Sequence, residues 1–273
     1  ITPAMGPQPV MHDVAYVAPG AAGPNVTFNP GAMALGEAVE AQYMAPGTTP
    51  YASSFSTATH ATTGLVDQSN YDYLRFDATG MYMLGLAGPS VSMIYGDSEK
   101  LLAFPLSYNG TWTDSWSTNI DVMGQAITRS GSTTGTYNGH GSVVLPWGTF
   151  PCSRIEIVQT YADVYMGTPL ASYNAVAVSY IHATTGKTLL SITRLTTSMD
   201  GFPDEVTESM TVMNQSSVGI SAQDVIATDA TLFPNPANGN VTLRLGSSHQ
   251  GQLLVSLVDV AGRTVRTHAV QAN

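Results

Sequence analysis

A chain of 273 residues with 43% hydrophobic residues holds enough apolar material for a main domain and a smaller companion. Only 10% of it is charged, against roughly 25% in ordinary soluble domains, and Lys occurs only at Lys100 and Lys187. The net charge of −10 argues against nucleic acid or an anionic membrane surface as partner, because both are held by clustered Lys and Arg.

Pro3, Pro7, Pro9, Pro19, Pro24 and Pro30 interrupt residues 1–35, which read as an extended arm with one short strand near Val14–Val17. The start, Ile1-Thr2-Pro3, has neither a basic head nor an apolar core, as expected of a mature end left after a signal peptide is removed. Leu35–Met44 is the one helix candidate, kept short by the Pro30-Gly31 before it.

Residues 36–213 read as strand, turn, strand. Tyr71–Phe76 and Met81–Leu86 flank Asp77-Ala78-Thr79-Gly80, a hairpin in which Gly80 takes the left-handed position. Lys100–Leu106 is a short apolar run. Gly141–Leu145 leads into the turn Pro146-Trp147-Gly148, and Arg154–Tyr161 follows as a β-branched strand. Ala175–His182 and Leu189–Leu195 form a second hairpin around Thr184-Thr185-Gly186-Lys187. Thr, Ser, Asn, Gly and Tyr dominate throughout, and turns recur with no helical period. The fold class is all-β: a β-sandwich-like main domain, with a partly open barrel as the related form. Residues 214–230 turn polar and read as a linker before a C-terminal segment at 231–273.

Catalytic and metal-binding signatures are missing. Cys152 is the only cysteine, so no intrachain disulfide forms, and its place in Phe150-Pro151-Cys152-Ser153-Arg154 suits a small packed residue at the beginning of a strand. The six His residues are dispersed, and His140, between two glycines, reads as a turn residue. Gly131-Ser132-Thr133-Thr134-Gly135 resembles a nucleophile elbow only superficially and reads as a hairpin loop. The carboxylate groups Glu37/Glu40 and Asp204/Glu205/Glu208 read as solvated surface. No run approaches the roughly 18 apolar residues of a membrane helix, and no cofactor is implied.

Trp112, Asp114 and Trp116 share one face of a strand by their two-residue spacing. Exposed, they would form a sugar-stacking platform around a carboxylate. Buried, they are core, with Asp114 capping a turn. Burial statistics of aromatics favour the core.

The end of the chain opens with Phe233-Pro234-Asn235-Pro236-Ala237-Asn238-Gly239 and a strand at Val241–Leu245. A second strand, Leu253–Val258, runs into Asp259-Val260-Ala261-Gly262-Arg263, and Val265 begins the return. Two prolines around an Asn stiffen the first turn, and Gly262 can take positive φ in the second. In this order the two motifs resemble the type A C-terminal sorting domain of the type IX secretion system of Bacteroidetes. The resemblance rests on Pro234, Asn235, Pro236, Gly239, Asp259, Gly262 and Arg263, and covers less than a fifth of the chain.

The resemblance implies a small immunoglobulin-like β-sandwich, incomplete here because the chain stops before the last strand pair of such domains. It also implies export through the periplasm and outer membrane to the cell surface or beyond. The implied partners are the outer-membrane translocon, a shuttle protein and a sortase-like peptidase. Residues 36–213 are loosely similar to the main domains of uncharacterised cargo proteins of this kind, on Phe104-Pro105-Leu106-Ser107-Tyr108 and Trp112-Thr113-Asp114-Ser115-Trp116. The reading is a non-enzymatic exported cargo. Two readings compete with it: a glycan-binding adhesin using Trp112, Asp114 and Trp116, and a hydrolase whose site is assembled from residues remote in sequence.

Overall fold

The computed structural model describes residues 3–64, 68–122, 125–214, 231–233, 242–244, 251–258 and 264–272. The chain divides into two compact units, Ile1–Gly219 and Ile220–Asn273.

The first unit opens with strands β1 (Gly6–Pro7), β2 (Met11–Val14), β3 (Gly23–Phe28), β4 (Ala38–Val39) and β5 (Ala41–Met44). Two short 3-10 turns follow, at Pro46–Thr48 and Ala52–Ser54. Then come β6 (His60–Gly64), β7 (Tyr71–Asp77), β8 (Gly80–Ala87), β9 (Val91–Ala103), β10 (Thr111–Val122) and β11 (Gln125–Leu145). The unit ends with β12 (Gly148–Tyr165), β13 (Thr168–His182), β14 (Thr188–Ser198) and β15 (Glu205–Met213). From β5 to β15 each strand pairs with the next, antiparallel.

The arm explains how so long a sheet closes. β1 pairs with β5 at one end of the strand order, whereas β2 pairs with β15 at the other and β4 with β2. Residues 8–10 alone join β1 to β2, and Glu40 alone separates β4 from β5. A few residues span at most roughly 10 Å, so the two ends of the sheet meet there. Gln8 N–H donates to the Ala41 carbonyl at 2.8 Å across the junction. The sheet is therefore one rolled antiparallel surface, closer to a barrel than to a pair of separate sheets. β3 also joins it, parallel to β11 at Gly139–Val143, just beyond the point where β10 leaves.

This closure overturns the helix expected at Leu35–Met44. The segment is extended because its backbone completes both ends of the sheet, and pairing outweighs a weak local propensity. The arm also covers the larger core, where Phe28, Val143, Val178, Tyr180, Leu189, Leu190, Ile192, Met210 and Val212 pack together. Met11, Val14, Tyr16 and Val17 of the arm seal it. A second core gathers Phe55, Ala61, Tyr71, Tyr73 and Leu84 under β6–β8, with Phe55 stacked on Tyr73 at 3.9 Å.

The hairpin over Asp77–Gly80 forms as expected, but Gly80 is needed for a different reason. Its φ is not positive; instead an added Cβ would come within 2.4 Å of the Leu102 carbonyl oxygen. Asp77 Oδ1 fixes the turn by accepting from Thr79 N–H at 2.8 Å and from Gly80 N–H at 3.2 Å. The β12–β13 turn has Met166 at φ 49° and Gly167 at φ 82°, the paired left-handed geometry of a tight hairpin.

In the second unit, β16 (Thr231–Phe233) pairs antiparallel with β17 (Thr242–Arg244), and β18 (Gly251–Val258) with β19 (Thr264–Ala272). Both expected strands are present. Pro234, Asn235, Pro236, Gly239, Asp259, Gly262 and Arg263, like the linker over 215–230, lie outside the described residues.

Candidate functional site

Trp112, Asp114 and Trp116 lie in the first half of β10 and face Gly135, Thr133 and Gly131 of β11 in register. Both tryptophans are buried, at 7% and 4% exposure. An added Cβ on Gly135 would sit 2.0 Å from the Trp112 ring, so the glycine is what lets that indole lie flat across β11. The stretch expected to be a hairpin loop, Gly131–Gly135, is thus the strand complementary to the aromatic motif. His140 is likewise inside β11, opposite Ser153 of β12, and not in a turn.

Each polar side chain of the motif has a task in the sheet. Below Ser117 the ladder between β9 and β10 ends. Asp114 Oδ2 accepts the Lys100 N–H at 2.6 Å, and Trp112 Nε1–H donates to the Lys100 carbonyl at 3.2 Å. Side chains here replace missing ladder bonds, so Asp114 caps no turn. Trp116 Nε1–H donates to Thr133 Oγ1 at 2.9 Å, and the Thr133 hydroxyl donates to Glu99 Oε1 at 2.5 Å.

Glu99, only 3% exposed, is the centre of a polar network on this face. It also accepts from Gln159 Nε2–H and weakly from the Tyr95 hydroxyl. Burial pushes its carboxyl above the usual range; hydrogen bonds from Thr133, Gln159 and Tyr95 offset part of that rise. Tyr95 is raised by burial in turn. Alongside, Arg129 grips Asp163 with two bonds of 2.7 and 2.8 Å, and the Tyr173 hydroxyl donates to Asp163 Oδ2 at 3.0 Å. The guanidinium lies over the rings of Tyr161 and Tyr173, 4.9 and 5.2 Å from their centroids. Sequence reasoning did not find this network, because its members come from five strands.

Cys152 is buried in β12 within the larger core, and desolvation raises its thiol to about 11. It borders a cavity of about 10 Å³ beneath the arm with Phe28, His140, Arg154 and Tyr180, the size of one water. An open shelf of about 310 Å³ beside the β8–β9 turn is lined by Gly88–Ser92 and Asp121. His12, His60 and His182 are engaged with backbone groups. Glu37, Glu40, Asp204, Glu205 and Glu208 are exposed. Among the described residues no group of three or more His, Cys, Asp or Glu is placed to hold a metal, and no helix is long and apolar enough to cross a membrane.

Residues 231–273 match the secretion system C-terminal sorting domain family. The chain carries a type IX secretion C-terminal sorting domain, which makes it a cargo of that system, exported to the cell surface or the extracellular space. No curated protein and no solved structure matches the chain.

Proposed function

We propose that the first unit is a non-enzymatic surface or extracellular scaffold, delivered by the sorting domain. The observation that supports this is the state of its acid–base groups. Glu99 and Asp163 are taken up by neighbours on their own sheet face, and the cavity at Cys152 holds no more than a water. A general acid or base must instead reach a substrate. Trp112 and Trp116 offer no stacking face, which removes the motivation for a glycan platform at that motif.

In this reading the sorting domain engages the outer-membrane translocon and a shuttle protein. A sortase-like peptidase then removes it and leaves the cargo attached or released. Deletion of residues 231–273 tests delivery: the shortened protein is expected to accumulate in the periplasm, and its arrival at the surface would refute the assignment. Turnover of glycoside or ester substrates by the purified full chain, abolished by Glu99→Gln, would refute the non-enzymatic role.

A further inference from the structure

Among the described residues, β15 is paired over only part of its outer edge. β2 covers Met210–Met213 and no more, because the arm turns inward after Val14 to pack Tyr16 and Val17, both half-buried, against the core. Gly20 N–H then reaches the Tyr180 hydroxyl at 3.1 Å, well away from the edge. Glu205–Ser209 pairs with β14 on the inner side, and among the described residues no backbone hydrogen bond crosses its outer side. All five residues are exposed. Alternate residues of such an edge turn unpaired N–H and C=O groups to solvent, ready for another strand.

The side chains around this edge are apolar and acidic. Val206 shares the face on which Met210 and Val212 are buried, yet it is 44% exposed because the core has ended. The adjoining turn, closed by Phe202 N–H to the Met199 carbonyl at 3.1 Å, exposes Phe202 at 70% and Met199 at 42%. Asp200, Asp204, Glu205 and Glu208 surround them, with Arg194 the nearby cation, 3.6 Å from Glu208. That pair is exposed on both sides and contributes little.

We infer that Glu205–Ser209 is a docking edge for an extended segment of another protein, bearing Lys or Arg alternating with apolar residues. Backbone bonds supply the ladder, Val206 and Phe202 the apolar contact, and the carboxylates the preference for a basic strand. A second copy of this chain is disfavoured, since it would bring Glu205 and Glu208 of both copies together.

Hydrogen exchange of the purified full chain tests this with a short peptide of alternating Lys and Val. The peptide is expected to slow exchange at amides within 205–209. An alternately N-methylated version, which keeps the charge but cannot complete the ladder, is expected to have no effect. Glu205→Lys combined with Glu208→Lys changes only exposed positions. It is expected to weaken binding roughly tenfold or more and to favour a Glu/Val peptide instead. Equal binding by the N-methylated peptide, protection elsewhere, or no protection would overturn the proposal. So would a self-associated dimer protecting the same amides without peptide.

Discussion

The backbone of Lys100 is held by side chains of β10: its N–H donates to Asp114 Oδ2 at 2.6 Å, and its carbonyl accepts from Trp112. The contact lies where β9 and β10 separate, and it keeps a half-buried amide satisfied without a ladder partner. Asp114→Ala is therefore expected to destabilise the main unit by about 1–3 kcal/mol, the cost of leaving such a group unmet. Asp114→Asn, which retains an acceptor, should cost distinctly less. Urea unfolding followed by tryptophan fluorescence measures both.

Gly135 and Trp112 form a size-matched pair across β10 and β11. Gly135→Ala forces the indole off the strand, with an expected loss of about 1–3 kcal/mol from overpacking. Trp112→Ala alone should cost about 3–5 kcal/mol. In the double variant the alanine methyl occupies vacated space, so the combined loss should fall well short of the sum. Additive losses in denaturant titrations would contradict the pairing.

Glu99 makes stability depend on pH in a defined direction. Its carboxyl titrates higher when folded than when unfolded, so between those values the folded state binds more protons. Its contribution is fully present below the ordinary carboxyl value and is lost as pH rises through the raised one. Glu99→Gln removes that slope. The melting temperature of the variant should gain on the wild type as pH rises from below the ordinary carboxyl value through the raised one, and a parallel shift across that range would refute the assignment.

Cys152 should be inert in the folded protein. It is 4% exposed, and its thiol is raised to about 11, so the reactive thiolate is scarce at neutral pH. An aromatic disulfide reagent should label it slowly in buffer and rapidly in denaturant. Rapid labelling of the native protein would show that the arm does not cover the core as described.

The hairpins at 71–87 and 175–195 were legible because turn chemistry and alternation coincide there. β11 was not. Its burial alternates strictly from Ala126 to Gly135, but the inward residues are Ile127, Arg129, Gly131, Thr133 and Gly135. Polar residues and glycines face in because their partners are the aromatics, Glu99 and Asp163 of neighbouring strands, so the hydrophobic alternation that marks a strand is absent. For Trp112, Asp114 and Trp116, spacing places the residues on one face without saying which way it points; burial statistics favoured the core, and both tryptophans are buried.

The C-terminal sorting segment, the all-β class and the placing of Cys152 in apolar surroundings were determined by the sequence alone, through contiguous motifs and composition. Tertiary structure alone decided that the arm joins the two ends of one sheet, that Gly135 makes room for Trp112, and that Glu205–Ser209 has no partner among the described residues on its outer side. The physical reason is range. A turn or a recognition motif is written in neighbouring residues. Closure, register and an open edge depend on backbone pairing between segments as distant as Val14 and Met210, which no local pattern encodes.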